Sequence, residues 1–258
     1  MIVSRLQSLL LFGVFTLLLS TFEVIGQEAF DLYIMCMSYQ PEFCYHHQYY
    51  EYYYCEHPRN TWRYNLTLHG LWPEYWDGGY PSSCTAEEFD ESVVDEIGVA
   101  KFEILWVNVK EEVGEENYTD FWEHEWDKHG TCSGLDQVTY FNETLSRHLK
   151  TPESVYENYG GSVNKQEFVD FYGGSNMVAV VCDAGKYLSE VRVCLGVGED
   201  AVPTEQIECP QHVLDEDSCT EEEIYIDEFY VDRCTARDNF GCKDETRSNL
   251  RGDRMAIS

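Results

Sequence analysis

Residues 121–132 read FWEHEWDKHGTC, a segment that combines helical spacing with an unusual set of polar side chains. Because an α-helix turns by about 100° per residue, one face of this segment would carry four polar groups: His124, Glu125, Lys128 and His129. Trp122 and Trp126 flank that face, and such an aromatic pair is more typical of core packing than of function. The segment therefore predicts an amphipathic helix that brings two imidazoles, an amine and a carboxylate together.

A zinc site is one alternative for two histidines on one helix. The zinc pattern H-E-x-x-H places its imidazoles one turn apart, whereas His129 follows His124 one residue too late for that pattern. Lys128, between them, would also repel a cation. A charged, solvated helix face is the second alternative, but such a face rarely collects two histidines between tryptophans. We therefore predict a catalytic site with no metal and no other cofactor.

Residues 66–73, LTLHGLWP, add a third imidazole. We expect a short strand that ends at Gly70, so that His69 is displayed where the chain turns away. The combined set suits phosphoryl transfer in which a substrate hydroxyl is the nucleophile: one imidazole takes a proton, another gives one, and lysine neutralises developing charge. RNA carries such a hydroxyl at its 2′ position and DNA does not, so we predict RNA as the substrate.

Strand and helix patterns elsewhere indicate an α+β fold with an antiparallel sheet. Strand-like runs lie toward both ends of the chain, at residues 29–39, 176–183, 188–196 and 223–231, with a hairpin expected between the second and third. Helical spacing lies between them, at residues 87–113, 118–128 and 138–149. Strands that flank a helical middle are typical of the α+β class.

The chain begins with a segment typical of a secretory signal peptide, residues 1–26. Arg5 precedes an apolar run from Leu9 to Leu19, which is shorter than the roughly 20 residues that span a bilayer. We expect a catalytic domain at residues 27–231 and a polar tail at residues 232–258. The net charge of −31 argues against nonspecific binding to nucleic acid or to an anionic membrane, so an RNA site must supply local cations.

Cysteines and glycosylation sequons agree with a secreted protein. The chain has 11 cysteines and no C-x-x-C pair, a composition that fits disulfides in an oxidising compartment. Three N-x-[ST] sequons are candidate glycosylation sites: Asn65, Asn117 and Asn142. We therefore expect a protein that is secreted or held in an acidic, lysosome-like compartment. We also expect a monomer.

The two polar segments, in their order and spacing, closely resemble the active-site segments of the ribonuclease T2 family, and the resemblance extends from about Phe30 to Tyr230. It implies an α+β fold and metal-free cleavage of single-stranded RNA through a 2′,3′-cyclic phosphate, with loose base preference. The alternative is a T2-like binding or toxin-like glycoprotein whose role does not depend only on cleavage.

The resemblance also implies a role for each matching residue. His69 would be the general acid and His129 the general base. The groups that would bind phosphate or stabilise the pentacovalent state are His124, Glu125 and Lys128. The groups that match base-binding positions are Trp72, Glu74 and Tyr80 in one pocket and Phe121 in a second, with Glu74 standing where Asp or Asn is common in the family.

The same resemblance implies most of the disulfide pairs. The matching pairs are Cys84–Cys132, Cys182–Cys219 and Cys194–Cys209. Two further pairs are expected from position alone: Cys44–Cys55, which would close a tyrosine-rich loop, and Cys234–Cys242 in the tail. Cys36, on a strand face, is left as a buried free thiol.

Overall fold

A computed structural model of the protein describes residues 29–46 and 52–232. These residues include seven strands: β1 Leu32–Ser38, β2 Thr67–Glu74, β3 Ser162–Asn164, β4 Val178–Asp183, β5 Tyr187–Val197, β6 Pro203–Ile207 and β7 Glu223–Tyr225. The α-helices are α1 Gln40–His46, α2 Tyr53–Glu56, α3 Ser92–Ile97, α4 Val99–Leu105, α5 Asp120–Lys128, α6 Gln137–Ser146, α7 Glu153–Glu157, α8 Lys165–Phe171 and α9 Gln211–Leu214. The expected signal peptide and nearly all of the expected tail lie outside the described residues.

Strand β5 is the hub of a single sheet. It pairs antiparallel with β1, β4 and β6, and it meets β7 in one parallel bridge between Tyr187 and Tyr225. Strand β2 pairs antiparallel with the other side of β1. The expected α+β class with a mainly antiparallel sheet is therefore confirmed, as is the hairpin of β4 and β5.

Strand β1 is buried on both faces, which explains its nearly continuous apolar sequence. Tyr33, Met35 and Met37 belong to the main core, which also holds the helices that follow β2. Leu32 and Ile34 point to a smaller cluster on the opposite face. Cys36 follows them on that second face, and its fully buried thiol lies beside His69.

Several expectations about element boundaries are wrong. The last strand, expected over residues 223–231, is β7 and ends at Tyr225. The helical pattern of residues 87–113 is divided into α3 and α4 by Gly98, whose φ of 109° no helix interior permits, and the second helix ends at Leu105. The strand around His69 does not end at Gly70, because β2 continues to Glu74. A bulge within the strand, described below, displays His69 in place of the expected turn.

Four disulfides join the described residues: Cys44–Cys55, Cys84–Cys132, Cys182–Cys219 and Cys194–Cys209. All four are among the expected pairs, and Cys36 is a buried free thiol. The pair Cys234–Cys242 lies outside the described residues. No helix in the described part of the chain is long and apolar enough to cross a bilayer.

Candidate active site

A β-bulge in β2 displays His69. Cys36 of β1 pairs with Gly70 and Met37 pairs with Leu68, so His69 is the extra residue that the ladder leaves unpaired. Such a bulge bends the strand and re-aims the side chain of the extra residue. The ring consequently lies over β1, and its Nδ1 is 2.6 Å from Oε1 of Glu190 on β5.

Helix α5 positions the remaining polar groups. Trp122 and Trp126 are buried in the core, as their flanking positions predict, and they fix the rotation of the helix. Glu125 is only 1% exposed. The helix ends at Lys128, so His129 is its C-terminal cap and not part of an ideal helical face. The amide of His129 still donates to the carbonyl of Glu125 at 3.1 Å, which keeps the imidazole beside the helix.

The structure brings every candidate catalytic residue to one cavity of about 200 Å³. This cavity is lined by His69, His124, Glu125, Lys128 and His129. Three of the candidate base-binding residues line it as well: Trp72, Glu74 and Tyr80. Phe121 instead lines a neighbouring cavity of about 530 Å³, which His69 and His124 also border. His69 and His124 therefore line both cavities, each of which is large enough for part of a nucleotide.

The indole of Trp72 lies between the two proposed proton-transfer groups. Its ring is edge-on to His69 at a centroid distance of 5.0 Å and stacked with His129 at 5.2 Å. Its Nε1 donates a hydrogen bond to Oε2 of Glu125 at 2.8 Å. Trp72 thus holds three catalytic candidates in a fixed relation, in addition to any contact with a base.

Gly70 permits this close arrangement. A Cβ at residue 70 would lie 2.1 Å from Oε2 of Glu125 and 2.3 Å from Nε1 of Trp72. Both distances are far shorter than a van der Waals contact, so any side chain here would displace the carboxylate, the indole or both. The glycine next to His69 is therefore required by the packing of Glu125.

The two imidazoles have opposite electrostatic environments. Burial alone would lower the pKa of His69, but the hydrogen bond and charge of Glu190 and the charge of Glu125 outweigh it and raise that pKa. Burial, Lys128 and the other imidazoles lower the pKa of His129 from 6.5 to about 3. Within the described residues, Nδ1 of His129 is buried and makes no hydrogen bond, which also disfavours a doubly protonated ring.

The remaining polar groups of α5 respond to burial and to this local positive charge. Burial raises the pKa of Glu125, although His69, Lys128 and the hydrogen bond from Trp72 oppose that shift. Burial and then the charge of Lys128 lower the pKa of His124. The charge of the Glu125 carboxyl group therefore depends on the nearby cations His69 and Lys128.

The candidate base pocket contains one histidine that the sequence reasoning missed. Glu74 is buried, and its Oε1 lies 3.2 Å from Nε2 of His212 on α9. Burial raises the pKa of Glu74, against the opposing effect of His212. Tyr80 is exposed beside them, with the amine of Lys128 over its ring at 5.8 Å. A base entering this pocket would therefore meet an exposed ring and a buried carboxyl group paired with His212.

Two charged residues on β5, Glu190 and Arg192, were also missed. They alternate with buried valines in the segment LSEVRVCLG, and this alternation places both on one face of the strand. A glutamate and an arginine at such spacing are unusual on a largely buried strand, because burying an unpaired charge is costly. Their presence in the sequence indicates a polar site on that face of the sheet.

Comparisons with known proteins agree with this geometry. The model of the "Ribonuclease T2 family" matches residues 30–209 of the chain. "Intracellular ribonuclease LX" of Solanum lycopersicum is 36% identical over 110 residues, which are 42% of this chain and 44% of that protein, so the chain matches less than half of that relative's length. A ribonuclease of Aeromonas hydrophila is 29% identical over 67% of this chain and 75% of its own length.

The fold has solved counterparts. A crystal structure of a ribonuclease MC1 mutant in complex with 5′-GMP matches with a TM-score of 0.57 and 20% identity, over 76% of this chain and 99% of that one. Ribonuclease MC1 comes from the seeds of bitter gourd. The family model spans the bulged strand with His69, helix α5, three of the four disulfides in full and one cysteine of the fourth. Both candidate segments line one cavity, and the family model matches well over half of the sequence, so the chain belongs to the ribonuclease T2 family.

Proposed function

We propose that the protein is an endoribonuclease that cleaves single-stranded RNA by transphosphorylation. The observation that carries this proposal is the pair of imidazoles at one cavity whose pKa values are shifted in opposite directions, His69 upward and His129 downward. At a mildly acidic pH one ring is therefore protonated and the other is neutral, which is the pairing that general acid–base catalysis requires.

In the proposed first step, neutral His129 takes the proton of the 2′ hydroxyl as that oxygen attacks the adjacent phosphorus. The bond from phosphorus to the 5′ oxygen breaks, and protonated His69 gives its proton to that leaving oxygen. The products are a 2′,3′-cyclic phosphate and a free 5′ hydroxyl. Water then opens the cyclic phosphate with the two proton transfers reversed, which leaves a 3′-phosphate.

The other polar groups act on the charge of the phosphate. Lys128 would neutralise the charge that develops on the non-bridging oxygens, and His124 would bind the phosphate in the ground state. Glu125 would stabilise the pentacovalent state from the interior side, where its hydrogen bond to Trp72 fixes it. None of these steps uses a metal or another cofactor.

Recognition of the RNA bases is proposed for the two adjoining cavities. Trp72, Glu74 and Tyr80 would contact one base, and Phe121 would contact the base on the other side of the scissile phosphate. Two similar structures support nucleotide binding in this fold, since ribonuclease NT was crystallised with 5′-AMP and a ribonuclease MC1 mutant with 5′-GMP. Aromatic stacking accepts any base, so we propose a loose base preference.

We further propose that residues 1–26 are a signal peptide and that residues 27–231 form a monomeric catalytic domain, with a polar tail at residues 232–258. The four disulfides support passage through an oxidising compartment. All three sequon asparagines are exposed, as N-glycosylation requires: Asn65, Asn117 and Asn142. The proposed location is extracellular or an acidic, lysosome-like compartment.

The test is cleavage of a single-stranded RNA oligonucleotide in excess EDTA, with product ends analysed by mass spectrometry. We expect undiminished cleavage that yields 2′,3′-cyclic phosphate ends. A matched oligonucleotide with one 2′-deoxy substitution at the cut site should resist cleavage at that site. Cleavage of DNA, or a loss of activity with EDTA that zinc restores, would contradict the proposal.

A further inference from the structure

A chain of hydrogen bonds supports His69 from the side opposite the cavity. Nδ1 of His69 lies 2.6 Å from Oε1 of Glu190. The other carboxylate oxygen of Glu190 accepts from Nε and Nη2 of Arg192 at 3.1 and 2.6 Å. Nη1 of Arg192 in turn donates to Glu216. Both carboxylate oxygens of Glu190 are thus used, one by the imidazole and one by the guanidinium.

This arrangement determines which nitrogen of His69 is available for chemistry. A carboxylate can only accept hydrogen bonds, so Nδ1 must carry a proton whenever Glu190 is ionised. Although burial favours the neutral form, the hydrogen bond from His69 and the charges of His69 and Arg192 lower the pKa of Glu190 to about 2. Nε2 is left on the cavity side, 3.7 Å from Oε1 of Glu125, where a leaving oxygen can meet it.

Strand geometry makes the support rigid. Glu190 pairs with Ser38, and Arg192 pairs with Cys36, in the antiparallel ladder of β5 and β1. The two side chains therefore leave the same face of a central strand, directly across from the bulge that carries His69. Arg192 is held by two carboxylates, and its guanidinium also lies over the ring of Trp72 at 5.5 Å. The hydrogen-bond donors of Arg192 are therefore used by other residues of the protein. Its proposed effect on His69 is indirect and passes through Glu190.

We propose that Glu190, held by Arg192, is a positioning residue that orients the His69 imidazole and keeps it protonated as the general acid of the reaction. The inference rests on the proposed ribonuclease function and adds to it a residue outside the two active-site segments. On this inference, the pH at which activity is lost on the alkaline side depends on Glu190 of β5, because Glu190 keeps His69 protonated.

Further charged groups share the two cavities that His69 borders: Glu74, Lys128 and Glu216 at one, and Lys110, Glu111 and Asp120 at the other. Other charged or titratable groups contact the ring or lie close enough to affect it. Those groups are Cys36 from β1, Glu190 and Arg192 from β5, His124 and Glu125 from α5, and His129 beyond its end. Burial raises the pKa of the Cys36 thiol, so Cys36 is a neutral neighbour. Glu190 is the group nearest to the ring and the only carboxylate among the described residues that hydrogen-bonds to His69.

The same cluster could be read as a metal site, because ligand atoms of Cys36, His69 and Glu190 lie within 4.8 Å of one another. Two features disfavour that reading. Arg192 binds the same carboxylate and would repel a cation placed beside it. The thiol of Cys36 is held neutral by burial, whereas a metal requires the thiolate.

The first experiment compares the pH profile of kcat/KM for the unmutated protein, Glu190→Gln and a matched control, Glu205→Gln. The control removes the same charge from an exposed position on β6. Loss of a hydrogen-bonded carboxylate should move the alkaline limb of Glu190→Gln about 1 pH unit lower. At a pH well above the alkaline limb the rate should then fall about tenfold, with a much smaller loss at pH 5, while Glu205→Gln keeps the original profile.

The second experiment uses a substrate that needs no general acid, a uridine 3′-phosphodiester with 4-nitrophenol as the leaving group. If Glu190 acts through His69, the defect of Glu190→Gln should largely disappear with this substrate, as should that of His69→Ala. An alkaline limb unchanged by the substitution would overturn the inference. So would a loss that is equal at all pH values and with both substrates, since that is the effect of general structural damage.

A failure of the inference can be distinguished from a failure of the proposed function. If the unmutated protein does not cleave RNA, the proposed function is wrong. If it cleaves RNA, His69→Ala is inactive and Glu190→Gln matches the unmutated protein, only the inference fails. Should Glu190→Gln not fold, histidine NMR of the unmutated protein decides the question, with the His69 signals identified by their loss in His69→Ala. A protonated Nδ1 and a titration midpoint above 6.5 support the inference, and a lower midpoint overturns it.

Discussion

Replacing Gly70 with alanine should impair catalysis with little effect on the backbone. The added Cβ would lie 2.1 Å from Oε2 of Glu125 and 2.3 Å from Nε1 of Trp72, two atoms that share a 2.8 Å hydrogen bond. Neither can remain in place. Because Glu125 is 1% exposed, its carboxylate cannot exchange the lost hydrogen bond for full hydration.

The size of the effect follows from that hydrogen bond. A hydrogen bond to a charged group is worth about 1.5–3 kcal/mol. If the displaced carboxylate no longer stabilises the transition state, kcat should fall by about 10- to 150-fold, since each 1.36 kcal/mol is a factor of about ten in rate. KM should change less, because the interaction is proposed to matter most in the transition state.

The assay measures kcat and KM on single-stranded RNA near pH 5, together with thermal unfolding. A double-mutant cycle with Glu125→Ala tests the cause: in that background Gly70→Ala should cost little, because the displaced group is already absent. Gly114→Ala is the control. Gly114 has a φ of 94° and no neighbour near its Cβ position, so this substitution strains the backbone without touching the site. A Gly70→Ala enzyme with kcat within twofold of the original, or losses that simply add, would refute the reasoning.

Four further outcomes are expected. His69→Ala and His129→Ala should each lower kcat by at least about 100-fold, and near-normal turnover of either would contradict the assigned roles. Lys128→Ala should also act mainly on kcat, and an effect confined to KM would instead indicate ground-state binding. The pH profile of kcat/KM should be bell-shaped, since the rate needs neutral His129, whose pKa is about 3, and protonated His69, whose pKa is raised above 6.5. We therefore expect an optimum at about pH 4.5 to 6, which an optimum at pH 8 or above would contradict. The unfolding free energy should fall as the pH drops from 6.5 toward 3, because unfolded His129 binds a proton that the folded ring resists; His129→Gln should flatten this slope, and an unchanged slope would count against the burial argument.

The sequence was sufficient to predict that the candidate catalytic residues lie together, because each of them lies in one of two short segments. Helical spacing places His124, Glu125 and Lys128 together wherever the helix packs, and the buried tryptophans orient it. The prediction failed at the end of the helix, where His129 becomes a cap. Periodicity describes the interior of a helix, whereas its end depends on contacts that come from distant parts of the chain.

For a related reason, the sequence alone did not predict the bulge at His69 or the hydrogen bond between His69 and Glu190. A bulge is a mismatch between two strands, so it cannot be recognised in β2 without the register of β1. Glu190 lies 121 residues from His69, and only the order of strands in the sheet brings them together. The alternating charges of β5 indicate a polar face, but the residue that packs against this face depends on the order of the strands in the sheet.

The acidity of the chain and the chemistry of the site favour the same pH. A net charge of −31 at pH 7 repels RNA, whereas at pH 5 protonation of histidines and some carboxylates would reduce it to about −18. The raised pKa of His69 favours the charged form of the proposed general acid at pH 5, and the lowered pKa of His129 favours the neutral form of the proposed base. Imidazolium at residue 69 and the amine of Lys128 then attract a phosphate at close range, where the distant carboxylates are screened by salt. A strongly acidic surface is therefore compatible with the proposed polyanionic substrate and the proposed acidic compartment, because the few cations that matter would be concentrated at the reacting phosphate.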